Sequence, residues 1–236
     1  NLSFSDIEDV SCFGLNDGRA KVVVLGGNAP FSYEWTLNET IVSTNQTVIN
    51  LSANSQYIVN VTDNDNCVHT DSIMIEQPDP LSFESLNLVH VPCFGGENGS
   101  VFAEIDGGTG PYYFDWFGYN PSFLAAGYYN LSVTDDNDCE SVDTTFQIIE
   151  PSEALNVQIV SENVSCNGAS DGLIDIDIFG GIEPHFISWN NQIPDTTFID
   201  TLVAGEYIFT VVDSNNCTIT DTILIEQPDA ISLSDS

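Results

Sequence analysis

Short stretches in which apolar and polar residues alternate recur along the whole chain, separated by turns rich in Gly, Asn, Asp and Pro. The clearest alternation follows Gly18, where Ala20, Val22 and Val24 share one face and Lys21 lies on the other. A period of two residues is typical of a half-buried β-strand, and no stretch sustains the 3.6-residue period of a helix. The pattern therefore predicts an all-β chain of short antiparallel strands.

The alternating stretches belong to a module that occurs three times. Each copy opens with a Cys, places one Gly two residues later and another six residues later, and begins a Gly-Gly pair fourteen residues after the Cys. A Pro and a Trp follow, so the copies run from Cys12 to Trp35, from Cys93 to Trp116 and from Cys166 to Trp189. This fixed spacing predicts tandem domains at residues 1–79, 80–152 and 153–229, with the start of another at 230–236.

The strand count of each module points to a fold class. Six or seven short strands with a single Trp in a middle strand predict an immunoglobulin-like antiparallel β-sandwich, with the strand order left open. The Pro-containing segments between modules are only a few residues long. Because Pro stiffens such short linkers, we expect the three modules to form an elongated array.

The charge of the chain excludes several classes of partner. Asp and Glu number 36 against two basic residues, which gives a formal net charge of −34. Such a chain cannot neutralise phosphates, so no nucleic acid partner is expected, and an anionic membrane surface would repel it, so neither is direct membrane insertion. The three His residues occupy unrelated positions in the modules, which gives a hydrolytic triad no support, and we expect no enzymatic activity.

The six cysteines fall as two per module. An even partition in small repeated units predicts one disulfide within each module, which would join Cys12 to Cys67, Cys93 to Cys139 and Cys166 to Cys217. This pairing rests on the symmetry of the repeat, because six cysteines permit fifteen pairings. Metal-binding or catalytic thiols are the alternative, but the chain has no CxxC pair. Disulfides indicate export to an oxidising compartment, at the cell surface or outside the cell.

Taken together, these residues resemble the SprB repeat family. The resemblance rests on Cys-x-Gly-x-x-Asp/Asn-Gly, on Gly-Gly-x-x-Pro-aromatic before the Trp, on a Leu-x-Ala signature, on Val-Thr-Asp before the second Cys and on a closing Gln-Pro. The later signatures occur at Leu51-Ser52-Ala53, Leu124-Ala125-Ala126, Leu202-Val203-Ala204, Val61-Thr62-Asp63 and Val133-Thr134-Asp135. The chain departs from the pattern at Val212, which replaces the Thr, and at Glu150, which replaces the Gln.

The resemblance implies a role as well as a fold. SprB repeats belong to a large surface adhesin of gliding bacteria, which the type IX secretion route exports and the gliding motor carries along the cell. The residues themselves predict a secreted β-rich array whose first partners are the neighbouring repeats of the same chain. A surface polysaccharide or a solid substratum is the partner that an adhesin implies.

Acidic turns before the second cysteine of each module are candidate calcium sites. Clustered carboxylate oxygens on a loop are the ligands that calcium prefers, although no cofactor is required by the sequence. The plain alternative is that Asp and Asn simply form the turn. The candidate ligands are Asp63, Asp65, Asp135, Asp136, Asp138 and Asp213, with Asp17 and Asp171 as supplementary ligands from another turn.

Two further patterns carry candidate chemistry. An Asp-Ser/Thr-apolar triplet resembles the O-glycosylation acceptor of bacteria that use this secretion route, and its acceptor positions are Ser72, Thr144, Thr196, Thr201 and Thr222. The recurring Trp residues could stack on sugars, but their constant place in a middle strand favours packing in the core.

Two functions remain open from the sequence. In the first, the modules are spacers that present an adhesive region away from the cell. In the second, they form an array of calcium-dependent polysaccharide-binding modules. The first interpretation is favoured because the invariant positions are typical of core and turn residues.

Overall fold

A computed structural model describes residues 1–190 and 195–232. The regular elements within these ranges are all β-strands, as the alternation predicted, and they include no helix with the length and apolar character needed to cross a membrane. The first repeat contains β1 (Leu2–Glu8), β2 (Gly18–Val24), β3 (Ser32–Leu37), β4 (Thr40–Ser43), β5 (Thr47–Leu51), β6 (Ser55–Thr62) and β7 (Val68–Ile75). The second contains β8 (Ser82–Val89), β9 (Ser100–Asp106), β10 (Tyr113–Asp115), β11 (Gly127–Thr134) and β12 (Val142–Ile148). The third contains β13 (Asn156–Glu162), β14 (Gly172–Phe179), β15 (Phe186–Trp189), β16 (Phe198–Leu202), β17 (Gly205–Val212) and β18 (Thr218–Ile225).

The first repeat is a sandwich of two antiparallel sheets. One sheet has the order β1-β2-β5 and the other has the order β4-β3-β6-β7. The third repeat has β13-β14-β16 in one sheet and β15-β17-β18 in the other, which is the same order without a counterpart of β4 among the described residues. This strand order, which the sequence left open, is that of an immunoglobulin-like sandwich, and the predicted fold class is confirmed.

The core of the first repeat lies between its two sheets. Ala20 and Val22 of β2 are completely buried, and so are Trp35 of β3 and Val59 of β6. These side chains belong to a single cluster, which shows that the alternating apolar faces of the two sheets meet. The indole N–H of Trp35 donates to the carbonyl oxygen of Asn45 at 2.9 Å. The core position predicted for this Trp is therefore confirmed, and its one polar atom is satisfied.

The strands of the second repeat are arranged more sparsely. Its sheets have the orders β8-β9 and β10-β11-β12. An isolated antiparallel bridge between Gly99 and Leu124 occurs where the first and third repeats have β5 and β16. Leu131, Val133 and Ile148 are nevertheless completely buried.

The chain forms two compact units, which do not coincide with the three repeats. The first unit comprises Asn1–Asn87, Phe102–Gly118 and Asn130–Thr145, and the second comprises Leu88–Val101, Tyr119–Tyr129 and Phe146–Ser236. Each unit therefore contains one outer repeat together with part of the second repeat. The boundaries drawn from the sequence at residues 79/80 and 152/153, and the elongated array, stay predictions.

Candidate functional site: two disulfides between repeats

Two disulfides join consecutive repeats. Cys12 is bonded to Cys139 and Cys93 is bonded to Cys217, with Cα atoms 5.6 and 5.7 Å apart. In both bonds the first cysteine of one repeat meets the second cysteine of the next, and both cysteines belong to the same compact unit. The predicted pairing within repeats, Cys12 with Cys67, Cys93 with Cys139 and Cys166 with Cys217, is wrong. Cys67 and Cys166 are free thiols and exposed.

The strand order explains why a repeat cannot pair its own cysteines. The turn that carries Cys12 lies beside the end of β7, where the N–H of Val10 donates to the carbonyl oxygen of Glu76 at 2.9 Å. Cys67 immediately precedes the start of β7. The eight residues of β7 separate the two turns by about 27 Å at ~3.4 Å per residue. A disulfide needs Cα atoms within about 7 Å, so the two cysteines of one sandwich lie at opposite ends and out of reach.

The turn around each first cysteine is built in the same way in all three repeats. The N–H of Gly14 donates to Oε1 of Gln77 at 2.9 Å, and the N–H of Gly168 donates to Oε1 of Gln227 at 2.9 Å. Glu150 accepts from the N–H of Gly95 in the same manner. These glycines have φ near +80°, a conformation that side chains resist. The Gln or Glu that closes one repeat therefore fixes the turn that presents its cysteine.

In the first and third repeats, an aspartate also accepts a hydrogen bond from the backbone beside this cysteine. Oδ1 of Asp17 accepts from the N–H of Ser11 at 3.0 Å, and Oδ1 of Asp171 accepts from the N–H of Ser165 at 3.0 Å. The Ser11 hydroxyl donates to Asp17 as well. Hydrogen bonds from the side chain and backbone of Ser11 hold the pKa of Asp17 below its usual value, and Ser165 acts likewise on the pKa of Asp171. These two candidate calcium ligands therefore have a structural role.

The turn around each second cysteine is centred on one carboxylate. In the third repeat, Asp213 accepts from the N–H groups of Ile182, Asn215 and Cys217 at 3.0, 2.8 and 2.9 Å. Asp63 has the equivalent donors Asn28, Asp65 and Cys67, and Asp135 has the equivalent donors Thr109, Asn137 and Cys139. Asp135 and Asp213 are 0 and 2 % exposed. Each carboxylate ties the cysteine turn to the turn of the Gly-Gly pair.

This carboxylate explains why the Gly-Gly pair recurs at fixed spacing. A Cβ on Gly181 would lie 2.8 Å from Oδ2 of Asp213, and one on Gly108 would lie 3.0 Å from Oδ2 of Asp135. Both glycines also have φ of +61°. The close approach and the positive φ together require glycine.

The hydrogen bonds also set the charge state of the turn. Burial acts to raise the pKa of Asp213, but the backbone N–H groups of Ile182, Cys217 and Asn215 outweigh it and lower the pKa. The pKa of Asp63 is lowered chiefly by the N–H of Cys67 and then by that of Asn28. Since the donors stabilise the ionised form, these turns carry a fixed negative charge at neutral pH.

A side-chain amide links the two turns of each disulfide. Nδ2 of Asn137 donates to the carbonyl oxygen of Ser11 at 2.8 Å, and Nδ2 of Asn215 donates to the carbonyl oxygen of Pro92 at 2.9 Å. Both amides lie two residues before a bonded cysteine. The same position in the first repeat, before the free Cys67, is Asp65, which cannot donate.

A crevice with similar walls accompanies each disulfide. Around the first bond it is lined by Cys12, Phe13, Pro80, Leu81 and Cys139. Around the second it is lined by Cys93, Phe94, Pro151, Leu155 and Cys217. The linker proline and the aromatic residue after the first cysteine therefore lie beside the disulfide. We call this contact between consecutive repeats, with its disulfide, a joint.

The remaining candidate calcium ligands take part in local contacts. Asp65 accepts from Nδ2 of Asn28, Asp136 accepts from the hydroxyl of Tyr113 at 2.9 Å, and the backbone N–H of Asp138 donates to the carbonyl oxygen of Asp135 at 3.2 Å. Within residues 1–190 and 195–232, no three His, Cys, Asp or Glu side chains are grouped so that they could hold a metal ion. The turn interpretation thus has direct support in hydrogen bonds, and calcium binding stays a prediction.

The candidate glycosylation residues differ in accessibility. Thr201 and Thr222 are exposed, whereas Ser72, Thr144 and Thr196 are half-buried. The Ser72 hydroxyl also accepts from Nε2 of Gln56 at 3.0 Å. Glycosylation stays a prediction, and Thr201 and Thr222 are the acceptors that an enzyme would reach first.

Comparison with known families identifies the repeat. The model of the SprB repeat matches residues 5–40, 86–118 and 159–192, and each match contains the first cysteine, the Gly-Gly pair and the Trp. The chain therefore contains three SprB repeats. The resemblance read from the sequence is confirmed. The second cysteine of each SprB repeat lies outside the matched residues, and no curated protein matches the chain in sequence.

Of two similar solved structures, the first supports the fold of these SprB repeats. The three N-terminal domains of the Highly Immunogenic Outer Capsid protein (Hoc) of bacteriophage RB49 are 12% identical, with 97% of this chain and 100% of that chain covered and a TM-score of 0.52. Immunoglobulin domains 1–5 of Sidekick-1 are 11% identical, with 95% of this chain and 58% of that chain covered and a TM-score of 0.41. At these identities the likeness concerns the fold alone.

Proposed function

We propose that this chain is a structural segment of a secreted cell-surface adhesin, in which disulfides fasten each SprB repeat to the next. The observation that carries this proposal is the pair of bonds Cys12–Cys139 and Cys93–Cys217. Disulfides persist in oxidising compartments outside the cytosol, and the family assignment supports a repeat segment of an adhesin. A net charge of −34 favours solubility at an exposed surface.

The two bonds overlap along the chain, which changes how the segment bears tension. Cys93 lies between Cys12 and Cys139 in sequence, so a pull on the chain passes through both bonds. The shortest covalent path then contains roughly 80 of the 236 residues. At ~3.6 Å per extended residue, the bonds would make the fully unfolded chain shorter by on the order of 550 Å. An adhesin that is pulled by its attached surface would therefore remain short.

Single-molecule pulling tests this role. When the oxidised chain is stretched from its termini, its unfolded length should be only that of the shortest covalent path through both bonds. In dithiothreitol, the unfolded length of the same chain should be greater by on the order of 550 Å. A Cys67→Ser, Cys166→Ser double variant, which keeps both bonds, is the matched control and should behave as the oxidised chain. Equal extension in both redox states would contradict a tension-bearing function for the bonds.

The gliding role is a narrower proposal that the family supports. Antibody against the chain should label intact, unfixed cells of the bacterium that produces it, and antibody-coated beads should then move along those cells. Labelling without bead movement would contradict the gliding role and leave the surface location intact. Absence of labelling would contradict both.

Exposed aromatic residues favour polysaccharide contact as a second candidate function. Within the described residues, the second repeat exposes aromatic side chains at Phe102, Tyr113, Phe114, Phe117, Tyr119, Phe123 and Tyr128. Aromatic faces are suited to packing against sugar rings. Glycan binding by the intact chain, with and without EDTA, tests this candidate and its predicted calcium dependence. Binding that is unchanged in a Phe123→Ala, Tyr128→Ala variant would contradict it.

A further inference from the structure

The two free cysteines occupy turns that have the same hydrogen bonds as the turns of the bonded cysteines. Around Cys166, the N–H of Ala169 donates to the carbonyl oxygen of Cys166 at 3.0 Å, as the N–H of Gly96 does to that of Cys93. Gln227 closes the turn of Cys166 just as Gln77 closes the turn of Cys12. The geometry that presents the thiol is therefore formed without a disulfide.

Cys67 is presented in an equally complete turn. The N–H of Asp63 donates to the carbonyl oxygen of Cys67 at 3.1 Å, as the N–H of Asp213 does to that of Cys217 at 3.0 Å. Asn66 has a φ of 63° and Asn216 has a φ of 64°. Backbone conformation at the free thiol thus matches that at the bonded one.

The crevice beside Cys67 lacks the cysteine and the aromatic residue that the second repeat contributes to the equivalent crevice beside Cys217. Gly27, Asp63 and Cys67 line it, in the positions of Gly181, Asp213 and Cys217 in the third repeat. The crevice of the third repeat also contains Cys93 and Phe94 from the preceding repeat. The first repeat therefore has a completely formed cysteine turn, and no second cysteine lines the crevice beside Cys67.

We propose that Cys67 and Cys166 are complementary halves of one further joint, so that Cys166 of one SprB segment bonds to Cys67 of another. Cys166 is a first cysteine and Cys67 is a second cysteine, which is the combination in both observed bonds. The partner is another SprB repeat, for which a second copy of this chain is the available probe. Because such a contact joins two different surfaces, it would join further copies head to tail, in a ring or in an open chain.

The bond forms by thiol–disulfide exchange with a low-molecular-weight disulfide. The Cys166 thiolate attacks oxidised glutathione, and one glutathione thiolate leaves. The Cys67 thiolate of the second copy then attacks the Cys166 sulfur of the mixed disulfide and releases the second glutathione. Two protein thiols are oxidised and one glutathione disulfide is reduced to two thiols.

Two complementary variants test the proposal. Cys67→Ser retains only the Cys166 thiol, and Cys166→Ser retains only the Cys67 thiol, so a mixture can form only one mixed dimer. At about 1 mM protein, similar to the effective concentration that a short linker provides, the mixture should form this dimer in oxidised glutathione. Each variant alone should form several-fold less dimer. Mass spectrometry should find Cys166 bonded to Cys67, with Cys12–Cys139 and Cys93–Cys217 intact in every sample.

Two results would overturn the proposal. The first is equal dimer formation by either variant alone, which would indicate unspecific oxidation of exposed thiols. The second is a mixture that stays monomeric while its two internal disulfides are intact.

A gain-of-function variant separates specific docking from chance collision. Asp65 lies where Asn137 and Asn215 donate across the observed joints. Asp65→Asn in the Cys166→Ser background should therefore raise the mixed-dimer yield about fivefold, the effect of one added hydrogen bond. Asp65→Ala removes the same charge without adding a donor and is the matched control. Equal yields from the Asn and Ala variants would contradict the equivalence of the joints.

Discussion

Asp213 offers the sharpest test of the cysteine turn, because one carboxylate there accepts three backbone N–H groups. Its oxygens lie 2.8 to 3.0 Å from those nitrogens, and the side chain is 2 % exposed. Asp213→Ala would leave all three donors without their acceptor. A hydrogen bond to a charged group contributes about 1.5 to 3 kcal/mol, and such effects do not sum, so we expect the free energy of unfolding of the second unit to fall by about 3 to 5 kcal/mol.

Hydrogen exchange over β17 and β18, measured in EDTA, reports the stability of that unit. Because EDTA removes calcium, the expected loss does not depend on a metal. Asp177→Ala, at an exposed position of β14, is the matched control and should change stability by less than about 0.5 kcal/mol. A loss that appears only in the presence of calcium would refute the hydrogen-bond role and restore the metal interpretation, and a loss below about 1 kcal/mol in both conditions would refute both.

Three further predictions concern the same turns. Cys139→Ser opens a bond across 127 residues and should destabilise the first unit by about 5 kcal/mol in guanidinium titrations, but not in dithiothreitol. Gly180→Ala places a Cβ against the carbonyl oxygen of Ala154 at positive φ and should lower the free energy of unfolding by more than about 2 kcal/mol in thermal melts. Its control is Gly205→Ala, where a Cβ meets open space, and which should lower that free energy by less than about 1 kcal/mol. The lowered pKa of Asp213 gives stability that is complete above its unfolded pKa of about 3.9 and is lost as pH falls through the lower folded value. Below pH 4 the melting temperature of Asp213→Asn should therefore fall less than that of the wild type.

Much of the fold follows from the spacing of the repeats and the alternation of apolar residues. The face of Ala20 and Val22 became the buried face of β2, and Trp35 became a core residue. Both outcomes depend on local patterns, because alternation over one strand determines which side chains are buried. The sparser second repeat was not predicted, since its sequence keeps the signature residues while Gly99 and Leu124 form only a bridge.

The disulfide pairing could not be read from spacing, because every repeat contains one cysteine of each kind. Pairing within each repeat and pairing between consecutive repeats both recur regularly along the chain, so the symmetry of the repeat does not distinguish them. The strand order decides between them, since it places Cys12 beside the end of β7 and Cys67 beside its start. The predicted immunoglobulin-like fold already contained the information needed to exclude pairing within a repeat, because the successive turns of such a sandwich alternate between its two ends. For the aspartates of the turns the sequence left calcium binding and turn formation open, because acidic residues alone do not reveal three backbone donors.

The pairing of the cysteines is the central claim, and peptide mass spectrometry of the unreduced protein tests it most directly. Trypsin has only Arg19 and Lys21 as sites, so cleavage at Asp and Glu is needed to separate the cysteines. The account predicts peptides joined through Cys12–Cys139 and Cys93–Cys217, with Cys67 and Cys166 alkylated as free thiols in the monomer. Peptides joined through Cys12–Cys67 and Cys166–Cys217 would contradict it.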